Sequence, residues 1–399
     1  MESTALFAIN LSTLIIIIFS AHLLCLRAFE RQTYLPLAIF LLSIGIVICQ
    51  PTLANLADQL RPTMIILSLP AILLTAPSLW FYVEGITAKK SWQLNQMHKK
   101  HFILFIIGAL VALIALFIPY DVQYTLLIND DESVLNKTTP NIKFITISTL
   151  IATVLLVLAW IAQSGFYLYK VIKRLTQYRE HLKSLFASTE VKEARWISWL
   201  LLAIAIVWAA TAANIIVNNI LFSNEVNATV SGLIILIMTW SVAIWGLRQK
   251  PGFEELYDAD EDIQQILEDT PAQSEKYQRS ALDNQNAVKI ADKITLAMQQ
   301  DKLYLDASLS LQKLAKHINT SPNYISQTLN ETLGANFFDY INQYRINEAK
   351  NQLKQTENTV LDIAMNVGFN AKSSFYTAFK KETQQTPSQY RKSEALIEF

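Results

Sequence analysis

Long apolar runs dominate the first 250 of the 399 residues. They recur at about 5–26, 35–54, 64–87, 102–120, 144–169, 196–221 and 228–247. Each is close to the ~20 residues that a helix needs to cross a hydrocarbon layer of ~30 Å. A helix that is apolar on every side needs a nonpolar environment all around it, which a soluble core seldom offers. The sequence therefore predicts a seven-helix transmembrane bundle over residues 1–250.

The charged residues divide the chain into two unlike parts. The whole chain is neutral, with 33 basic and 33 acidic residues. The first 250 residues hold only 18 basic and 12 acidic ones (30 of 250, 12%), whereas the last 149 hold 15 and 21 (36 of 149, 24%). Soluble domains carry about 25% charged residues. We therefore expect a linker over residues 251–285 and a soluble domain over residues 286–399.

The loops between the apolar runs carry an uneven positive charge. Fifteen Lys and Arg residues lie in one alternate set of loops, and only Arg61, Lys137 and Lys143 lie in the other. Cytoplasmic loops of membrane proteins retain Lys and Arg. The bias predicts a multi-pass protein with its N-terminus outside and its C-terminus in the cytoplasm.

A few polar residues lie within the apolar runs and are candidates for sensing a signal. Glu84 is near the inner end of the third run, and Asn214 and Asn218 lie in the sixth. Polar groups in a membrane are costly, so each is a functional candidate. The alternatives are that Glu84 extends to the inner interface and that the asparagines form hydrogen bonds between helices.

Catalytic and metal-binding patterns are missing from the sequence. The runs contain no paired Asp, no Gly-x-Ser and no His-Glu-x-x-His motif, and the soluble part has no phosphate-binding loop or kinase signature. The two cysteines, Cys25 and Cys49, have no metal-ligand spacing. We expect neither an enzyme nor a metal or cofactor site.

The segment between the two parts is strongly acidic. Nine acidic residues and no Lys or Arg lie between Glu254 and Glu275. A charge run of this kind is typical of a solvated spacer. The alternative is an autoinhibitory segment that lies on a basic face of the following domain.

A helix-turn-helix pattern occupies about residues 309–333. Ala315 is the small residue where two helices approach closely, and Asn319, four positions later, suits a left-handed turn. Ser321 and Pro322 then have the residue types of an N-cap and a first helical position. Ile325, ten positions after Ala315, would complete the apolar core between the helices.

The same pattern recurs at about residues 360–383. Ala364 and Gly368 repeat the spacing of Ala315 and Asn319, each 49 positions later. Residues 336–354, between the copies, contain no Pro or Gly and predict a rod of ~28 Å. This length is close to the ~34 Å between successive major grooves on one DNA face. The soluble domain is therefore predicted to be all-α, with two units that read adjacent grooves.

Residues Leu309 to Arg391 resemble the DNA-binding domain of the AraC/XylS family of bacterial transcription regulators. The matching stretches are Leu311-Gln312-Lys313-Leu314-Ala315, Asn323-Tyr324-Ile325-Ser326-Gln327, Tyr344-Arg345-Ile346-Asn347-Glu348-Ala349, Ile363-Ala364-Met365-Asn366-Val367-Gly368-Phe369, Ser374-Phe375-Tyr376-Thr377-Ala378-Phe379-Lys380-Lys381 and Thr386-Pro387-Ser388-Gln389-Tyr390-Arg391. They cover a fifth of the chain. Some members of the family join this domain to a multi-helix membrane region.

The resemblance implies which side chains face DNA. In the first recognition helix they are Asn323, Ser326 and Gln327 toward the bases and Asn330 toward phosphate; in the second they are Lys372, Ser373, Tyr376 and Thr377 toward the bases, and Lys380 and Lys381 toward phosphate. Gln and Asn pair with adenine, and Lys pairs with guanine acceptors. The alternative is that these residues form a solvated helix face.

Some positions depart from the family pattern or have another role in it. Many members have Arg in place of Gln327 and Thr377, so guanine contacts would be fewer here. Gln384 stands where a turn glycine is usual, and Arg345 resembles an arginine that braces the two halves of the domain.

Together these features predict a membrane-embedded one-component transcriptional regulator in the bacterial inner membrane. Its expected partners are double-stranded promoter DNA, the lipid bilayer, a small-molecule or membrane-derived signal, a second copy in a homodimer, and RNA polymerase. The charge of residues 276–399 is only +3 (15 basic, 12 acidic), so we expect weak DNA binding by a monomer. The alternative function is a transporter or channel with a regulatory helix-turn-helix tail.

Overall fold

The computed structural model describes residues 4–190, 192–203, 228–257 and 284–395, and within these ranges every regular element is helical. An isolated antiparallel β-bridge joins Phe186 and Ser310. The predicted all-α class is therefore confirmed for the described residues. The chain divides into two compact units, the first formed by Met1–Arg174 and Ala194–Pro251, the second by Leu175–Glu193 and Gly252–Phe399.

The division into units differs in one respect from the domains expected from sequence. Leu175–Glu193 groups with the C-terminal part of the chain, although it follows a membrane-type helix in sequence. The functional boundaries expected at residues 250 and 285 remain predictions.

The first unit is built from long apolar helices and short connecting ones. They are α1 (Thr4–Glu30), α2 (Leu35–Ile48), α3 (Gln50–Leu56), α4 (Arg61–Ile86), α5 (Ile103–Leu116), α6 (Tyr120–Leu127), α7 (Val134–Lys137), α8 (Pro140–Leu185) and α9 (Ala228–Arg248). Residues 195–203 are also helical. The last residues of α8, from Leu175 onward, belong to the second unit.

Five helical segments of the described chain are long and apolar enough to cross a membrane. They are Thr4–Glu30, Asp58–Ile86, Gln96–Leu116, Pro140–Leu185 and Ala228–Arg248. A sixth candidate is the pair Gln32–Ile48 and Gln50–Leu56, which is bent by 57°. Pro51 lies at this bend, where its missing N–H and its ring disfavour a continuous helix. The predicted count of seven is not confirmed, because most of the sixth run, with Asn214 and Asn218, lies outside the described residues.

Close helix packing in the first unit depends on small residues. Helix α2 packs against α4, and α1 packs against both α2 and α9. At Gly85 of α4, a Cβ atom would lie 2.6 Å from the Cγ2 atom of Thr33. Any larger residue at this position would therefore push the neighbouring segment away.

The described part of the second unit contains seven shorter α-helices in addition to the end of α8. They are α10 (Asn284–Gln299), α11 (Leu311–His317), α12 (Pro322–Gln327), α13 (Phe337–Gln355), α14 (Val360–Asn366), α15 (Lys372–Thr383) and α16 (Pro387–Ala395). Helix α12 continues directly into a π-turn at Thr328–Thr332.

Helix α13 contributes to two separate cores of the second unit. Its first half places Phe337 and Ile341 in a cluster with apolar residues of α10, α11 and α12. Its second half places Ile346 and Leu353 in a cluster with residues of α14 and α15. One continuous helix thus joins two small helical modules, each with its own core.

Candidate nucleic-acid interface

The first module has the geometry of a helix-turn-helix unit. The Ser310 side chain accepts a hydrogen bond from the backbone N–H of Lys313 (3.3 Å) and so caps α11. Asn319 has a φ of 47°, and the N–H of Thr320 donates to the Ala315 carbonyl across the turn (3.0 Å). Asn tolerates this left-handed conformation better than most residues. The predicted turn is therefore confirmed at the predicted residue.

The second module repeats this geometry 49 positions later. Thr359 caps α14 by accepting from the N–H of Asp362 (3.1 Å). Gly368 has a φ of 95°, and the N–H of Phe369 donates to the Ala364 carbonyl (3.0 Å). The predicted internal repeat is confirmed in its turns, at Asn319 and Gly368, whereas Ser321, the predicted N-cap of α12, forms no side-chain capping hydrogen bond.

Gln384 takes the conformation of the turn glycine that it replaces. It follows α15 with a φ of 59°, and its N–H donates to the Lys380 carbonyl (2.9 Å). A left-handed residue other than Gly costs roughly 1–2 kcal/mol. The backbone turn is thus kept at this position in spite of the substitution.

The predicted base-facing residues of α12 share one side of the helix. Asn323, Ser326 and Gln327 are each partly exposed, at the i, i+3, i+4 spacing of a helix face, and Asn330 is exposed beyond them. The side-chain amide of Gln327 donates to a carboxylate oxygen of Glu331 (2.9 Å). Glu331 was missed in the sequence analysis, although its spacing of four from Gln327 is a recognisable helical pair.

The second recognition helix presents a more basic surface. Lys372, Ser373, Thr377 and Lys380 are exposed, and Tyr376 is half-buried. The Lys372 ammonium lies 5.3 Å from the centre of the Tyr376 ring. Phe375 and Phe379 of the same helix are buried in the core of the second module.

Lys381 has an acidic neighbour in this structure. Its Nζ atom lies 2.8 Å from Oδ1 of Asp339, in the first turn of α13. Contact of Lys381 with a phosphate would therefore require this exposed ion pair to exchange partners. Exposed ion pairs contribute only about 0–1 kcal/mol of stability, so replacing the Asp339 carboxylate by a phosphate would cost little free energy.

Arg345 holds the two modules together from the middle of α13. The side chain is fully buried. Its Nε atom donates to the Tyr304 carbonyl (2.7 Å) and its Nη2 atom to the Asp306 carbonyl (2.9 Å), both just before the first module. Its guanidinium carbon lies 5.6 Å from the ring centre of Phe369, in the second module. The bracing role that the resemblance implies agrees with these contacts.

Arg345 keeps its positive charge although its side chain is buried. Burial lowers the pKa of Arg345 to about 10, and negative charges on Glu190 and Asp306 act in the opposite direction. The guanidinium therefore stays protonated at neutral pH. Backbone carbonyls supply much of its hydrogen bonding, and carbonyls of this kind partly replace the lost hydration of a buried cation.

The stretch after α8 is packed into the first module. Nη1 of Arg345 donates to the Ala187 carbonyl (3.0 Å) and to the Ser188 hydroxyl (3.1 Å). The N–H of Ala187 donates to the Leu309 carbonyl (3.1 Å), directly before the cap of α11. Leu182 and Leu185 lie in the same apolar core as α10, α11 and α12.

Sequence reasoning did not associate this stretch with the C-terminal domain. The available signal is the helical spacing of Tyr178, Leu182 and Leu185 among charged residues, which marks an amphipathic end to an otherwise apolar helix. Tyr178 packs edge-on against Phe253, with ring centres 5.3 Å apart. Phe253, directly before the acidic stretch, is therefore anchored in the second unit.

Glu84 belongs to a polar cluster of the first unit. Its carboxylate accepts from the Trp92 indole N–H (3.2 Å) and lies 3.0 Å from Nε2 of His98. Nδ1 of His98 accepts from the backbone N–H of Asn95 (3.0 Å), which places the imidazole proton on Nε2. Through Trp92 and His98, Glu84 thus fixes the segment that leads into the 3-10 turn at Gln96–Phe102, directly before α5. Its sensing role stays a prediction.

The described part of the chain holds no cluster of three His, Cys, Asp or Glu side chains that would suit a metal ion.

Comparison with known proteins bears on the C-terminal region. Residues 314–393 match a family described as "Helix-turn-helix domain". An uncharacterized HTH-type transcriptional regulator of Staphylococcus aureus (strain COL) is 37% identical over 100 residues, which are 25% of this chain and 13% of that protein. The melibiose operon regulatory protein of Escherichia coli (strain K12) is 33% identical over 87 residues, 22% of this chain and 29% of that protein. The chain thus spans less than a third of the length of these relatives.

A solved structure is similar to the same region. The C-terminal domain of AraT, a response regulator from Geobacillus stearothermophilus, is 30% identical and is matched over 26% of this chain and 84% of that chain, with a TM-score of 0.24. The family match and the sequence relatives show that the C-terminal unit contains a helix-turn-helix domain of the AraC type.

Proposed function

We propose that this protein is a membrane-embedded transcriptional regulator of the bacterial inner membrane, which senses a signal through its first unit and binds promoter DNA through its second. The observation that carries the proposal is the pair of helix-turn-helix modules with equivalent caps and turns, joined by one helix of 19 residues. The N-terminus would lie outside and the C-terminus in the cytoplasm, where DNA is found.

The DNA-binding part of the proposal is supported by the rigid spacing of the two modules. At ~1.5 Å per residue, α13 is a rod of ~28 Å. Arg345 forms buried hydrogen bonds next to the first module and lies 5.6 Å from the Phe369 ring of the second, contacts that would help to hold the recognition helices at a fixed separation. A fixed separation near one DNA repeat favours simultaneous contact with two successive major grooves.

The membrane part is supported by the surface of the long helices. Leu155 and Leu158 of α8 are 60% and 58% exposed, and Phe19 of α1 is 61% exposed. Large apolar side chains in such numbers are costly in water and favourable in lipid.

The route for the signal would be α8, which contributes residues to both units. Its end is hydrogen-bonded and packed next to the cap of α11. A shift of this helix end would move the first module against the second. The signal must bind one arrangement of the helix more tightly than another for this shift to occur.

Mapping of chromosomal binding sites in cells tests the proposal. The full-length protein should occupy a small set of promoters, and Gln327→Ala should change the preferred bases at one position of the site. Lys380→Ala should weaken binding evenly across sequences and reduce the dependence on salt by about one phosphate contact. Lys392→Ala, which removes an exposed charge from α16, is the matched control.

The outcome that contradicts the proposal is an absence of specific sites for a full-length protein that is present in the membrane fraction. The orientation is tested separately, by thiol labelling of intact cells. In a background without Cys25 and Cys49, a cysteine at Asn136 should react with a membrane-impermeant reagent, and a cysteine at Lys250 should not.

A further inference from the structure

We propose that the first unit contains a binding site for a neutral, mainly apolar small molecule that carries a hydrogen-bond donor. The site is a cavity between α4, α5, α6 and α8 with a volume of about 100 Å³ and an open mouth. This is of the same order as the apolar cavity of ~150 Å³ that holds benzene in an engineered protein, so the ligand is a small molecule. The inference rests on the proposed function, because this ligand would be the signal that the regulator detects.

The cavity lies at one end of the helices of the first unit. Its lining comes from the beginning of α4 (Ile66 and Leu69), the last turn of α5 (Ala115) and the beginning of α8 (Thr146 and Thr149). Helices that alternate in direction place these ends on the same side. The Lys and Arg bias of the loops predicts that this side faces outward.

Helix α6 forms a fixed wall of the cavity. The Gln123 side-chain amide donates to the carbonyls of Ala115 (3.1 Å) and Ile118 (2.7 Å) at the end of α5 and just beyond it. The Tyr120 hydroxyl donates to the Gln59 carbonyl (3.2 Å), and the Tyr124 hydroxyl donates to the Asp58 carboxylate. These bonds hold the wall in place without a ligand, which is typical of a preformed site.

The polar groups of the lining offer acceptors to a ligand. The hydroxyls of Thr146, Thr149 and Thr153 donate to the carbonyls of Ile142, Thr146 and Thr149, at 2.8, 2.9 and 2.8 Å. Each hydroxyl has one proton, so only its lone pairs remain for the cavity. A ligand that forms a hydrogen bond here must therefore provide a hydroxyl or N–H group.

The rest of the lining excludes charged ligands. The described side chains around the cavity are mostly aliphatic, and none of them is charged. A charged group would lose its hydration without gaining a counter-ion. The chemistry that fits is an uncharged aliphatic or aromatic body with one donor group, whether it enters from the outer solution or from the outer lipid leaflet.

Photolabelling of the full-length protein in phospholipid nanodiscs tests the site. Three probes with the same diazirine group are compared: a medium-chain alcohol, an alkane of equal length and a phospholipid. The alcohol should label peptides of α5, α6 and α8 with saturation, and unlabelled n-octanol should compete. Labelling is compared between probe added to the solution and probe incorporated in the lipid beforehand, which shows whether the ligand enters from the outer solution or from the outer lipid leaflet.

Two variants locate the label in the cavity. Ala112→Trp fills space beside Ala115 and should reduce saturable labelling at least ~10-fold. Leu155→Trp, on the exposed side of α8, is the control and should leave labelling unchanged. Thr149→Val keeps the volume and removes an acceptor, so the preference for alcohol over alkane should fall about 2–10-fold. If the Ala112→Trp variant does not fold into the membrane, the alcohol preference of Thr149→Val alone tests whether the label lies in the cavity.

Several outcomes overturn the inference. These are alcohol labelling that does not saturate, equal labelling of the Ala112→Trp and Leu155→Trp variants, or saturable labelling by the phospholipid alone. Promoter binding is measured on the same nanodisc samples. Specific DNA binding without saturable labelling refutes the ligand site alone, whereas saturable labelling without specific DNA binding refutes the proposed regulator.

Discussion

Replacement of Arg345 by methionine removes the donor that links three parts of the second unit. The Tyr304 and Ala187 carbonyls each lose a hydrogen bond, of 2.7 and 3.0 Å. A buried acceptor without a partner costs about 1–3 kcal/mol, which gives about 2–6 kcal/mol for the two. Methionine is apolar and escapes the cost of burying a charge, which offsets part of this loss. We expect a net destabilisation of about 2–4 kcal/mol against a total of ~5–15 kcal/mol for a domain.

Hydrogen exchange of the full-length protein in nanodiscs measures this effect locally. The amide of Ala187 donates to Leu309 and should be protected in the parent protein. A loss of about 3 kcal/mol should raise its exchange rate on the order of 100-fold, because each 1.4 kcal/mol is a factor of ten. Amides in α4 and α5 should exchange as before.

The matched control is Lys350→Met, which removes a positive charge from the same helix. Lys350 forms one long bond, 3.5 Å to the Asn347 side chain, at the surface. Its exchange profile should stay within about threefold of the parent, as expected for a surface site. If Arg345→Met behaves like this control at Ala187 and around Tyr304, the bracing role of Arg345 is wrong.

Three further substitutions test the helix-turn-helix modules. Gly368→Ala should destabilise the second unit by more than about 2 kcal/mol, because the added Cβ would lie 2.8 Å from the Tyr304 carbonyl oxygen. Gly334→Ala is the control: its Cβ would meet open space, so the substitution should cost only ~1 kcal/mol. Hydrogen exchange of the two variants measures the difference. Gln384→Gly should stabilise the unit by on the order of 1 kcal/mol in the same measurement, and a loss of stability would show that no backbone strain exists there. Asp339→Asn should free Lys381 and raise DNA affinity about 2–5-fold at low salt, and an equal gain at high salt would argue against an electrostatic cause.

The helix-turn-helix modules could be predicted from sequence because their signals are local. A left-handed residue such as Asn319 and a proline at the start of α12 each act on the backbone within a few positions. The recurrence of the spacing at Ala364 and Gly368 made the pattern specific. The apolar runs were equally readable, since hydrophobicity over ~20 residues needs no knowledge of neighbours in space.

The predicted DNA-facing residues follow from the family resemblance alone, and their contact with DNA stays a prediction. Sequence reasoning did not find the partners that these residues have in the absence of DNA. Glu331 beside Gln327 and Asp339 beside Lys381 are such partners, and the second pair is 42 positions apart.

What the sequence by itself determined is therefore the helical content, the two-part organisation and the double helix-turn-helix pattern, because these follow from residue types at short spacing. The tertiary structure decided that the end of α8 packs into the first module, that Arg345 binds a carbonyl 158 positions away, and that four helices enclose an apolar cavity. Such contacts depend on which distant surfaces meet when the chain folds. A buried charge or cavity is defined by all of its neighbours together, and no local pattern specifies them.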